Sequence, residues 1–321
     1  MTNASSGGTR SAFLVAVVLT LSGCSDAENP APTTATTTTV TTAGAPSSRP
    51  EVPRGALAKD PVQLADDLFD DEQALRDPSS TEAALAAAAA RQQAAYRVLG
   101  RRRDWEPIVR RRVPPALLES YDRNIDARRN LTALGESSGV RDTVPAWRIV
   151  APAPAEELLG HFREAEAATG VPWAHLAAIN MIETGFGRIE GTSTAGAQGP
   201  MQFMPATWAE YGAGGDIHAP RDSIMAAARF LSAQGFAADR DQALFRYNNS
   251  DRYVRAVNDY AAVMDSDPAA FRAYHRWEVY YVTVVGDVLL PVGYSETAPV
   301  PVTEYLGRVS PSSPAVTTPT R

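Results

Sequence analysis

The sequence predicts a mainly α-helical protein with an N-terminal helical region and a short C-terminal β-hairpin. Three stretches carry that prediction: alanine-rich Ala83 to Leu99, an apolar stripe at Leu176, Ile179, Ile182 and Phe186, and a β-branched, aromatic run from Trp277 to Val292. Alanine is the strongest helix former. Apolar side chains three and four residues apart share one helix face, and branched or aromatic residues suit a pleated, half-buried strand. The chain has 321 residues and is 44% hydrophobic, enough to bury at least one sizeable core. Length alone suggests about two domains. With 30 basic against 37 acidic residues the net charge is −7, which argues against a dedicated nucleic-acid binder. A single cysteine excludes an intramolecular disulfide and any cysteine-built metal site. His161, His175, His218 and His275 show no metal-ligand spacing, so neither metal nor cofactor is expected.

Residues 1–23 read as a lipoprotein signal peptide. The apolar run Ala12 to Leu21 follows Arg10 and has ten residues. As a helix it measures about 15 Å, roughly half a bilayer core, which is the size of a signal-peptide apolar region and too short to span. Leu21-Ser22-Gly23-Cys24 resembles the bacterial lipobox. The resemblance implies cleavage before Cys24, lipid attached to its sulfur and new amino terminus, and an extracytoplasmic location on a bacterial membrane. Residues 24–56, rich in Thr, Pro and Ala, cannot bury enough surface to offset ordering entropy and read as a flexible tether.

Residues 57–134 read as three helices punctuated by Pro78, Gly100 and Pro114-Pro115, with Pro115 in the first turn of the last. Two basic triplets, Arg101–Arg103 and Arg110–Arg112, lie here. They suit either anionic lipid or wall polymer, or, the weightier reading, a solvated face paired with Asp104, Glu106, Glu119, Asp122 and Asp126. Residues 135–152 read as a connector whose Trp147 and Ile149 dock onto a domain. Residues 153–275 form the second helical domain. Residues 276–308 form a hairpin extension broken at Gly286-Asp287, and 309–321 a fraying tail.

The chemistry concentrates in the second helical domain. Pro172 opens a helix that runs to about Thr184, with Gly185 as a left-handed cap. Glu183 stands in its last turn beside the apolar stripe. The negative end of the helix dipole and apolar surroundings both favour the protonated carboxyl group, which protonation of a glycosidic oxygen requires. Glycines at 185, 187, 191, 196 and 199 then allow backbone to approach a ligand. Gly199-Pro200-Met201-Gln202-Phe203-Met204 and Trp208 offer soft or flat surfaces for sugar faces. Tyr247-Asn248-Asn249-Ser250 precedes a helix from Asp251 to Met264 that Ser250 is placed to cap.

Glu183-Thr184-Gly185-Phe186-Gly187, the stretch Gly196 to Trp208, and Tyr247-Asn248 together resemble the lytic transglycosylases of bacterial cell walls, in the MltB-like branch. The segment Gly215 to Asp222 and the helix through Leu231 share the likeness, which covers roughly residues 145–295. The resemblance implies a lysozyme-like helical domain, peptidoglycan glycan strands as substrate, and Glu183 as the single catalytic acid/base. It implies that Gln202, Met201, Phe203 and Met204 line the glycan groove, that Tyr247 lies close to Glu183, and that Asn248 bonds a sugar acetamido group or the reaction centre. Ser193 corresponds to a serine that contacts the catalytic carboxylate, with Thr192 and Thr194 as alternative alignments. Gln202 satisfying its own loop and Asn248 as a turn former are the simpler readings of those two residues.

Ordinary glycosidases use two carboxylates, about 5–5.5 Å apart for retention or about 6.5–9.5 Å for inversion. Glu190, Asp216, Asp222 and Asp251 are the candidates for a second one, and sequence does not place them. A water-using muramidase, a non-catalytic lipid-tethered wall-binding protein, and a helical scaffold built on residues 60–134 are therefore the competing readings.

Overall fold

The computed structural model describes residues 57–137 and 139–309. The expected signal peptide, the lipobox at Cys24, the tether and the tail beyond Val309 lie outside them. The described chain contains twelve α-helices and six short strands.

Four helices occupy the N-terminal region: α1 (Pro61–Arg76), α2 (Glu82–Arg101), α3 (Glu106–Arg110) and α4 (Leu118–Ser137). Asp60 caps α1 by accepting from the amides of Val62 and Gln63, with Pro61 in the first turn. Thr81 caps α2. The expectation of three helices missed α3, which Pro107 starts and Pro114-Pro115 confine to five residues. Pro115 opens a 3-10 turn (Pro115–Leu117) that leads into α4, one turn earlier than expected.

The connector supplies β1 (Thr143–Val144) and β2 (Arg148–Ile149), followed by α5 (Ala155–Thr169), α6 (Trp173–Thr184) and β3 (Ile189–Glu190). Then come α7 (Pro205–Tyr211), α8 (Pro220–Ala233), α9 (Arg240–Tyr247), α10 (Asp251–Ser266) and α11 (Pro268–His275). The chain closes with β4 (Val279–Thr283), β5 (Gly286–Leu290), β6 (Val300–Pro301) and α12 (Val302–Val309). The strands form three antiparallel pairs, β1–β6, β2–β3 and β4–β5.

Helix α10 is the hub. It packs against α4 on one side and α6 on the other. Its strongly amphipathic sequence buries Tyr253, Val257, Tyr260, Ala261 and Met264, and Ser250 caps it by accepting from the Tyr253 amide. One continuous core therefore runs from Leu64 and Tyr96 through Ile179 and Phe271 to Trp277, with no break between residues 57–134 and the helices that follow. A second, smaller core joins Val144 and Ile149 of the connector to Val279, Tyr281, Leu290 and Tyr305.

The hairpin turns at Val284-Val285, not at Gly286-Asp287: Thr283 pairs with Gly286 and Val282 with Asp287. Gly286 takes φ +104° as the first residue of β5, leaving Asp287 to face α2. There it accepts from Arg97 Nε at 2.6 Å and from both terminal nitrogens of Arg101. Gln93 completes the clamp, exchanging two hydrogen bonds with the backbone of Glu278. Further basic residues of the two triplets are also paired: Arg102 with Asp104 and Arg110 with Asp122, partners the solvated-face reading names, and Arg112 with Asp66 of α1, which it does not name.

Candidate active site

Helix α6 ends by a Schellman-type cap. The Gly185 amide donates to the Met181 carbonyl and the Phe186 amide to that of Asn180. Both residues are left-handed, Gly185 at φ +61° and Phe186 at φ +64°. For Phe186 this conformation is strained. The ring is held at the edge of Phe271, 5.6 Å between centroids, so packing enforces the sharp exit of the chain just after Glu183.

Two side chains on α6 lock the following loop. The Thr184 hydroxyl donates to the Pro200 carbonyl at 2.6 Å, and Asn180 Nδ2 donates to the same oxygen at 2.9 Å. Gly199 sits against the Ile217 carbonyl so closely that a Cβ would stand 2.0 Å from its oxygen. The loop is thereby pinned between α6 and the Ile217 segment, and Gln202 is delivered to the cleft with φ +50°.

Glu183 is buried, 7% exposed, and its Oε1 accepts a 2.7 Å hydrogen bond from the Tyr253 hydroxyl of α10. Burial pushes its ionisation up from 4.5 to about 7, and the Tyr253 bond pulls the other way. Desolvation wins because one donor replaces only part of the lost hydration. The group is thus poised between acid and base near neutral pH.

Two cavities meet at this carboxyl group. One, about 200 Å³, is lined by Trp147, Ile189, the loop Gly191 to Thr194, Gln202 and Tyr281. The other, about 190 Å³, runs toward Arg97, Arg128, Arg141 and the β4 strand. Trp147 divides them, its ring edge-on to Tyr281 with centroids 5.4 Å apart. A Cβ on Gly191 would lie 2.5 Å from the indole, so the loop needs glycine to close on it. Pairing of β2 with β3 sets this contact, and the connector and hairpin form one wall of a cleft whose floor is α6.

Placement of the expected residues is mixed. Ser193, Thr192 and Thr194 all line the first cavity; the Ser193 hydroxyl accepts from the Ala197 amide within its own loop. Gln202 lines the same cavity, and its Nε2 donates to the Gly199 carbonyl, so it serves loop and cleft together. Met204 is half-buried and precedes α7. Met201, fully buried, and Phe203, 4% exposed, depart from expectation. They do not line the groove but pack in the core behind it, because the turn that projects Gln202 outward sends both its neighbours inward.

Tyr247 lies near enough for Glu183 to raise its ionisation further, but its hydroxyl donates to the Met201 carbonyl at 2.7 Å. It supports the loop. Asn248 ends α9, buried, with Nδ2 lacking any partner. The tyrosine bonded to Glu183 is Tyr253 of α10, which sequence reasoning did not single out. Trp147 was read only as a docking residue of the connector, and Tyr281 was not singled out within the hairpin run. Of the second-carboxylate candidates, Glu190 pairs with Arg148 and Asp222 accepts from the Asp216 amide. Asp216 accepts from the His218 amide, and Asp251 is exposed in the first turn of α10. None of the four lines either cavity, and among the described residues Glu183 is the carboxylate that does.

Residues 160–267 match the family model described as Transglycosylase SLT domain. The match encloses Glu183, Ser193, Gln202, Tyr247, Asn248 and Tyr253. No curated protein and no solved structure matches the chain. With their helical architecture built around α6 and α10, residues 160–267 form a lysozyme-like transglycosylase SLT domain, which supports a lytic-transglycosylase-type, peptidoglycan-related function.

Proposed function

We propose that the protein is a peptidoglycan lytic transglycosylase. It cleaves the β-1,4 bond from N-acetylmuramic acid to N-acetylglucosamine with Glu183 as its single acid/base. The observation that carries this reading is one buried carboxyl group, ionising at about 7, that alone among the carboxylates of the described residues lines the two cavities meeting at it. Neutral Glu183 donates its proton to the glycosidic oxygen as the bond from muramoyl C1 breaks. The acetamido oxygen of the same sugar stabilises the positive charge at C1, so no protein nucleophile is needed. Glu183, now a carboxylate, takes the proton of the muramoyl C6 hydroxyl, and O6 bonds to C1 to close a 1,6-anhydro ring. The proton returns to Glu183 and the cycle is balanced without water.

Tyr253 supports this cycle by holding the carboxyl orientation in both protonation states. The unpaired Asn248 amide and the Gln202 side chain are the polar groups suited to sugar substituents. Lipidation at Cys24, with the tether, would hold the domain at an extracytoplasmic membrane surface within reach of the wall. The deciding experiment is mass analysis of muropeptides released from purified wall. Products lighter by one water, with anhydro ends, support the transglycosylase. Reducing ends identify a hydrolase, and binding without release identifies a non-catalytic wall-binding protein.

A further inference from the structure

The reaction at Glu183 leaves the second cavity without a role. Its wall carries Arg97 of α2, Arg128 of α4 and Arg141 of the connector, all outside residues 160–267. A recess of about 140 Å³ adjoins it, lined by Arg97, Arg128, Tyr260 and Glu278 among others. Asp287 serves both Arg97 and Arg101. Glu136 adds to the field at Arg101, Glu278 adds to that at Arg188, and Glu183 is neutral up to about pH 7.

The Arg97 side chain is only 9% exposed, yet its Nη2 has no hydrogen-bond partner, and neither has the buried Nε of Arg128. Burial and the nearby Arg128 lower the ionisation of Arg97 to about 10, which still leaves it charged at neutral pH. Two guanidinium groups in mutual repulsion, with buried donors unpaired, are costly for a fold to keep. A planar carboxylate matches them in charge and geometry.

We propose that this half of the cleft is a carboxylate subsite, in which Arg97 and Arg128 receive a carboxylate of the glycan strand bound across Glu183. The proposal rests on the reading of the cleft as a peptidoglycan site. Such a strand offers carboxylates from two sources. The lactyl group of muramic acid bears one where the stem peptide has been removed, and the stem peptide bears its own where it remains. In either case the N-terminal helices, which the family match does not cover, select the substrate.

The test uses the full chain carrying Glu183→Gln, so that strands bind without being cut. Its affinity is measured for soluble strands stripped of peptide, for peptide-bearing strands, and for both after their carboxylates are converted to neutral methylamides. Each measurement is repeated with Arg128→Gln added, and with Arg128→Lys, after thermal unfolding has shown that the variants fold. Losing a charge-assisted hydrogen bond should weaken binding roughly ten- to hundredfold, for carboxylate-bearing strands alone, with partial rescue by lysine. Loss confined to stripped strands assigns the lactyl group, and loss confined to peptide-bearing strands assigns the stem. Equal affinity with and without Arg128, or equal loss on amidated strands, overturns the subsite while leaving the glycan cleft standing. Failure of every strand to bind the Glu183→Gln protein overturns the glycan reading and the subsite with it.

Discussion

Replacing Glu183 by glutamine separates chemistry from stability in one side chain. The amide keeps the volume and the bond accepted from Tyr253, but it removes the group that gives and then takes a proton. General acid–base catalysis contributes about 10²–10⁴-fold, and one residue serves both steps here, so release of muropeptides should fall at the upper end of that range. Stability should move the other way. The Glu183 ionisation rises from 4.5 to about 7 on folding, so the folded state holds this proton through a window where the unfolded chain has released it. Stability linked to the group is whole below pH 4.5 and is lost as pH rises through 7. At about 1.4 kcal/mol per pH unit the full loss is about 3 kcal/mol, and the glutamine variant does not suffer it. Urea unfolding of both proteins at pH 4, 6 and 8 should therefore give curves that diverge with pH, the variant being more stable at pH 8. Parallel curves would show that the carboxyl group is not buried as described. Near-wild-type digestion of wall by a folded variant would remove Glu183 from the reaction.

Four further outcomes are expected. Tyr253→Phe removes the donor that lowers the Glu183 ionisation, so the alkaline limb of the pH–rate profile should shift upward and the rate should fall; an unmoved limb would exclude direct contact. Gly199→Ala places a Cβ 2.0 Å from the Ile217 carbonyl oxygen at a residue with φ +73°. It should lower stability by about 2 kcal/mol or more, and an unchanged denaturation midpoint would contradict the loop geometry. Asp287→Asn strips Arg97 and Arg101 of their shared carboxylate, which those guanidinium groups hold well below the usual range. The wild type should gain stability from this carboxylate above about pH 4 and lose it on acidification, whereas the variant should be less stable at pH 7 by about 3 kcal/mol and lack that part of the acid response in circular-dichroism melts. Cys24→Ala should move the protein from the membrane fraction to the soluble one, and unchanged partition would end the lipoprotein proposal.

The helical class was legible because local rules settle it. The alanine-rich stretch Ala83 to Leu99, the cap at Ser250 and the left-handed Gly185 are features of neighbouring residues, and they fixed α2, α10 and the end of α6 within about a turn. The elevated ionisation of Glu183 was also foreseeable in direction, since apolar residues recur beside it along one helix. The first helix count erred where a five-residue element followed a short irregular segment, too brief for periodicity to register.

What the tertiary structure alone decided are the contacts between distant parts of the chain. Tyr253 is 70 residues from Glu183, and only the packing of α10 against α6 makes it the donor. Met201 and Phe203 read as groove residues in a glycine-rich loop, but the backbone turn at Gln202 sends their side chains into the core. Trp147 and Tyr281 meet in the same wall of the cleft because β2 pairs with β3 and the hairpin is clamped onto α2. Periodicity reports which face of an element is buried. It does not report what that face is buried against, because long-range contacts depend on the summed packing of the whole chain.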